Sequence, residues 1–234
     1  MIRVFKSHSL SKKTAVLACL AVLGTASIFG CSPSQPPVAK VETPPTQPPA
    51  QPVAQAESPT LKNLQAAYNG ESNAHVMYLS FADKADQEGY KEVASLFRAA
   101  AKAEQIHRDN HAQVIQAMGA TPKNTITTPE AKSTAENLEQ AIKGESYERD
   151  TMYPDFITQA KTENNEAALK SLNYALAAET QHAKLYKEAS DNLTAWREAT
   201  PFYVCKVSGE TVVNEGDTAS CPSVTSGQSY ESVI

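Results

Sequence analysis

Basic charge, cysteine, tryptophan and long apolar runs are all scarce in this chain, and each shortage removes a class of explanation. Lys and Arg together number 21 against 26 Asp and Glu. An acidic chain lacks the basic face that binds nucleic acid by neutralising phosphates. Four cysteines are present, Cys19, Cys31, Cys205 and Cys221. With the N-terminal segment set aside, only two remain in the body of the chain, and two thiolates cannot build a four-cysteine iron site. The single tryptophan, Trp196, is read as packing. The one long apolar stretch runs from Ala15 to Gly30, too short and wrongly flanked for a membrane span.

That stretch follows Arg3, Lys6, Lys12 and Lys13, which is the layout of a secretory signal over residues 1–30. It ends Ile28-Phe29-Gly30-Cys31, which resembles a bacterial lipoprotein cleavage site and implies a lipid on Cys31. Ordinary secretion with cleavage nearby is the alternative. Loss of residues 1–30 would leave 17 basic against 26 acidic residues, a net of −9. Residues 31–59 follow, and 32–59 hold nine of the fourteen prolines. Such composition cannot bury enough surface to fold and reads as a semi-rigid spacer. The expected location is therefore the cell envelope, on the periplasmic side, with the outer membrane favoured by Ser32.

From residue 60 to 198 the pattern is helical. Leu61, Leu64, Tyr68, Glu71, His75, Tyr78 and Ala82 alternate steps of three and four. Val93, Phe97, Ala100, Glu104, His107, His111, Val114 and Met118 do the same, as do Leu172, Ala175, Glu179, His182, Tyr186, Ala189, Leu193 and Trp196. Each stripe is apolar at its ends and polar in its middle. Buried unpaired carboxylates are costly, effectively several kcal/mol per ion, so the middle is either solvated or occupied by positive charge. Glu104-Gln-Ile-His107 and Glu179-Thr-Gln-His182 each put a carboxylate and an imidazole on one helix face. Gly70-Glu71-Ser72 and Gly144-Glu145-Ser146 add a carboxylate from each of two more segments.

Heights are consistent with one site. A turn at Gly89 brings Glu71 and Glu104 within about 5 Å of the same level in antiparallel helices. A second turn at Asn164-Asn165 separates Glu145 from Glu179. Between the two hairpins lies Gly119 to Ser133, with Pro122 and Pro129. Fifteen extended residues reach roughly 50 Å, enough for the one long crossover of a ferritin-like four-helix bundle. The halves repeat: Asn63-Leu64 and Asn137-Leu138, Met77-Tyr78 and Met152-Tyr153, and the two Glu-x-x-His quartets. Glu71 to Tyr78 is seven residues and Glu145 to Tyr153 is eight. The extra residue predicts a π-bulge between Glu145 and Tyr153, and Pro154 predicts a kink.

These motifs, with Gly144-Glu145-x-x-Glu148 and Met152-Tyr153-Pro154, resemble rubrerythrin, a ferritin-like non-haem di-iron family of peroxide defence. The resemblance runs from about Leu61 to Leu193. It implies metal ligands at Glu71, Glu104, His107, Glu145, Glu148, Glu179 and His182. It also implies that Glu148 and His107 exchange as ligands of one iron when the redox state changes. A solvated Glu148 is the alternative. Two iron ions are the implied cofactor, with manganese also suited to the donors. The implied reaction is reduction of hydrogen peroxide to water. Tyr78 and Tyr153 are expected to hydrogen-bond ligand carboxylates, or else to be plain core residues. His75 and His111 match no family ligand and are taken as supporting or core groups.

The tail, 199–234, resembles a degenerate rubredoxin-like module, a small irregular or β lobe. Ser208 and Val224 stand where second cysteines of two Cys-x-x-Cys knuckles would be. The family's iron relay is therefore not expected here, and Cys205 and Cys221 are left free to pair as a disulfide. Turnover would need an external electron donor. A ferroxidase or iron-handling role, or a non-catalytic bundle, are the competing functions. Family resemblance also implies a homodimer.

Overall fold

The computed structural model describes residues 58–127, 130–217, 221–225 and 227–234. The signal segment, Cys31 and nearly all of the Pro-rich spacer lie outside the described residues.

Four long helical rods make up the body. Helix α1 spans Pro59–Glu88 and α2 spans Lys91–Ala117. The third rod is α3, Thr134–Tyr147, a π-helical segment, Glu148–Met152, and α4, Tyr153–Thr162. Helix α5 spans Glu166–Asp191. The π segment falls where the eight-residue spacing placed it, because one extra residue must be absorbed without turning Tyr153 off the inner face.

Local chemistry fixes the rod ends. The Ser58 side chain accepts from Leu61 N at 3.1 Å, and Pro59 takes the first helical position, where its missing N–H costs nothing. The helix thus begins one residue before the expected domain boundary. Gly89 closes α1 in the left-handed conformation, φ 79°, which a side chain would resist. Asn164 also has positive φ, 52°, and Asn165 caps α5 by accepting from Ala168 N at 3.0 Å. Ser133 and Glu136 form a reciprocal capping box for α3.

Over residues 121–127 the crossover is extended and held by side chains of α1. Gln65, Asn69 and Asn73, spaced by four, imitate a strand edge. Gln65 bonds Thr121 O and Lys123 N, Asn69 accepts from Thr125 N, and Asn73 bonds Thr125 O and Thr127 N, all at 2.8–3.1 Å. These bonds satisfy backbone groups that a structureless strap would leave to water.

Apolar packing is split in two. One cluster gathers Tyr78, Phe81, Phe97, Leu138 and Tyr186 at one end. The other gathers Leu64, Ile115, Tyr153, Ile157 and Leu172 at the opposite end. Buried polar side chains of the Glu and His set separate them, as the polar mid-stripes anticipated. Three details differ from the periodic pattern. Ala67 takes the buried place assigned to Tyr68, which is half-buried. His75 is also half-buried and donates from Nδ1 to Ala101 O at 2.6 Å. The last helix stops at Asp191, because Asn192 leaves helical geometry (φ −140°, ψ 47°), and Leu193–Ala195 form a short 3-10 turn.

The C-terminal lobe is an antiparallel sheet of order β2-β1-β3, from Phe202–Cys205 (β1), Thr211–Val212 (β2) and Tyr230–Val233 (β3). A disulfide joins Cys205 to Cys221. Trp196 stacks on Phe202 with ring centres 6.3 Å apart, and Phe202 and Val204 complete the aromatic end of the core. No helix among the described residues is long and apolar enough to cross a membrane.

Candidate metal centre

Each rod delivers one carboxylate to the same level: Glu71 from α1, Glu104 from α2, Glu145 from α3 and Glu179 from α5. All four are buried, with His107 and His182 beside them. Ligand atoms fall into two sets, each within 4.8 Å of one another: Glu71, Glu104, His107 and Glu179, and Glu104, Glu145, Glu179 and His182. Glu104 and Glu179 belong to both. Two cations would therefore sit side by side with these two carboxylates between them.

Hydrogen-bond accounting shows that the cluster fits cations. Buried oxygens Glu71 Oε2, Glu104 Oε1, Glu145 Oε2 and Glu179 Oε1 have no hydrogen-bond partner among the described residues. Such orphans are rare and costly unless something positive completes them. The histidines agree. His107 donates from Nε2 to the Ser208 carbonyl at 3.0 Å, an acceptor that offers no proton. His182 Nε2 donates at 3.1 Å to Thr211 Oγ1, which itself donates to Gly209 O. In a neutral imidazole Nδ1 is then a bare lone pair. Yet His107 Nδ1 lies 2.8 Å from Glu104 and 3.1 Å from Glu179, and His182 Nδ1 lies 3.0 Å from Glu179. Lone pair against carboxylate repels, unless a proton or a metal lies between.

The titration tendencies are those of a site holding protons in place of cations. Burial alone would lower the His107 pKa, but Glu179 and Glu104 override it and raise it to about 10. His182 is likewise raised against burial, by Glu145, Glu104 and Glu179. Burial, then the Glu179 charge, raises Glu145 to about 8 despite His182. Glu71 is raised by burial and by Glu104 and Glu179. Glu179 is held below its ordinary range, because its contacts with His107 and His182 outweigh its burial. Oxygen and imidazole donors without thiolate suit iron or manganese.

Tyr78 donates to Glu145 Oε1 at 2.5 Å, and Tyr153 donates to Glu71 Oε1. Both tyrosines therefore orient carboxylates of the site. Glu148 behaves differently. It opens the π segment, is half-buried as a residue, and lies outside both ligand sets. Its carboxyl still feels the site: burial first, then Glu71, Glu145, Glu179 and Glu104, raise its pKa.

The rubrerythrin family model matches residues 62–190, more than half of the chain. The chain belongs to the rubrerythrin family. It is 38% identical to nigerythrin from Nitratidesulfovibrio vulgaris over 165 residues, covering 70% of this chain and 80% of that one. The structure of fully reduced, all-ferrous nigerythrin superposes with a TM-score of 0.64 at 36% identity, covering 71% of this chain and 82% of nigerythrin. Bacterioferritin from Mycobacterium tuberculosis shares the fold alone, with a TM-score of 0.53 at 17% identity over 58% of this chain and 86% of that one. The ferritin-like bundle and the family are thus both established.

Several residues around this rubrerythrin-type centre were not legible as functional. Gly209 has φ +80°, and a Cβ there would lie 2.3 Å from His107 Nε2. Only glycine lets the lobe backbone close over the imidazole. Ser208 was seen only as part of a degraded knuckle, and Thr211 had no role assigned. His111 was visible four residues beyond His107, but nothing in sequence tied it to Tyr153 and Ser171, its partners here at 3.2 and 2.8 Å.

Proposed function

We propose that this protein is a di-iron peroxidase that reduces hydrogen peroxide to water. The observation that carries this reading is the pair of overlapping buried donor sets with four carboxylate oxygens that lack a hydrogen-bond partner among the described residues. Glu71 and His107 would help hold one iron, Glu145 and His182 the other, with Glu104 and Glu179 available to both. Iron held there in the ferrous state would supply the two electrons that peroxide reduction takes. The chain's part is to hold the ligands and exclude water. Tyr78 and Tyr153 fix Glu145 and Glu71. The lobe backbone and Thr211 grip Nε2 of both histidines, which turns Nδ1 inward. Glu148, outside the ligand sets but facing their charge, would exchange with His107 when the redox state changes.

The setting belongs to the same proposal. The chain would be exported and tethered through lipid on Cys31, and would act as a homodimer. Its electron donor would be external, since the disulfide takes both lobe thiols. That same observation favours a second reading, ferroxidase activity, in which ferrous iron itself brings the electrons. Anaerobically reduced, iron-loaded protein mixed with peroxide or with oxygen separates the two. The peroxidase reading expects much faster oxidation by peroxide. Equal or faster oxidation by oxygen would favour the ferroxidase.

A further inference from the structure

The duplicated hairpins place one residue four positions beyond each inward-facing histidine: His111 after His107, and Tyr186 after His182. Each neighbours a tyrosine that orients a carboxylate. His111 Nε2 lies 3.2 Å from the Tyr153 hydroxyl, and the Tyr186 ring is centred 5.5 Å from that of Tyr78. Beyond this point the halves diverge. Tyr186 ends in an aromatic box, with Phe97 at 5.1 Å and Phe81 behind it. His111 instead continues outward. Its Nδ1 lies 2.8 Å from Ser171 Oγ, and Ser171 lines an open surface cavity of about 430 Å³ with Asn110, Lys170 and Tyr174.

The bonds share one direction. With Glu71 ionised by a bound metal, Tyr153 donates to it and must accept from His111 Nε2–H. His111 Nδ1 then carries a lone pair and accepts from the Ser171 hydroxyl. The donors therefore run from cavity to Glu71 without a break. Burial, with His107 nearby, pushes the His111 pKa down to about 3, so the ring rests neutral, as a relay requires.

We propose that Ser171, His111 and Tyr153 form a proton path from this cavity to the Glu71 side of the metal centre. Its consequence rests on the peroxidase reading. Reduction of one hydrogen peroxide to two waters consumes two electrons, taken from two ferrous ions that become ferric, and two protons. In one transfer Tyr153 passes its proton to Glu71 Oε1 and takes the His111 Nε2 proton. His111 takes the Ser171 proton at Nδ1, and Ser171 takes one from cavity water. All three groups end neutral, with the chain reversed, and it must reset before the second proton.

Two measurements test the path. In zinc-loaded, diamagnetic protein, nitrogen NMR should show His111 neutral with its proton on Nε2 near pH 7. A proton on Nδ1, or a cationic ring, overturns the proposal whatever the enzyme does. In reduced, iron-loaded protein, His111→Gln and Ser171→Ala should keep their iron yet slow peroxide-driven oxidation by about 10²-fold. Added imidazole should restore part of the rate in His111→Ala by entering through the cavity. Unchanged rates in both iron-replete variants, or slowing without imidazole rescue, would overturn the path. If wild-type protein ignores peroxide, the peroxidase reading fails instead, and the zinc-loaded tautomer still decides the path.

Discussion

Gly209→Ala probes the contact between lobe and metal centre. The added Cβ would meet His107 Nε2 at 2.3 Å and Cδ2 at 2.9 Å. His107 is fully buried among carboxylates and cannot retreat, so the loop at 208–211 must lift. Lifting breaks the Ser208 and Thr211 hydrogen bonds to the two histidines, together about 2 kcal/mol. A left-handed alanine adds about 1–2 kcal/mol, for a total of about 3–4 kcal/mol. Gly227→Ala is the matched control: its φ is +82° with nothing among the described residues within 4 Å, so it carries the backbone cost alone. Trp196, stacked on Phe202 where lobe meets bundle, reports docking by fluorescence, and far-UV circular dichroism reports the helices. In urea titrations Gly209→Ala should undock the lobe with about 2 kcal/mol more loss than Gly227→Ala. Equal losses in the two variants would refute the clamp.

Other outcomes are open to direct measurement. Metal-free protein should melt at falling temperature from pH 5 to 9. The Glu145 pKa rises on folding from 4.5 to about 8, so its contribution is whole below 4.5 and gone above about 8. His107 rises from 6.5 to about 10, so its contribution is whole below 6.5 and gone above about 10. Iron or manganese should flatten this dependence, and a metal-free melting point that climbs between pH 6 and 9 would contradict the assignment. Glu104→Ala should empty at least one metal position by elemental analysis, because Glu104 serves both sets; full occupancy would count against it. Cys205→Ser removes a cross-link worth about 3 kcal/mol on loop-entropy grounds, and should lower the urea midpoint seen by Trp196 while bundle iron stays. Loss of both irons there would mean that the disulfide-pinned lobe is needed to hold the metals.

Much of the bundle could be read from spacing because its physics is local. Stripes interrupted by Glu and His, glycine and asparagine at the turns, and one surplus residue before Tyr153 act within one rod, and the π segment appears where that surplus lies. Glu148 shows the limit of this reading. Its role as a ligand was implied by the family motif and not by any spacing; in the structure it opens the π segment and lies outside both ligand sets, while its carboxyl still feels their charge. The crossover shows another limit. Its length was legible, but the Gln65, Asn69 and Asn73 ladder was not, because those residues also suit any solvated helix face.

The sequence alone determined four rods, their turns and the carboxylate and imidazole residues that make a two-cation site chemically sensible, since each depends on neighbours three or four positions away. Tertiary structure decided what those groups touch. It brought Ser208, Gly209 and Thr211 over the histidines, set Tyr78 and Tyr153 on opposite carboxylates, and linked His111 to a surface cavity while enclosing Tyr186 in aromatics. Hydrogen bonds between residues sixty or a hundred positions apart depend on how rods and lobe pack, and no periodicity within one rod encodes that.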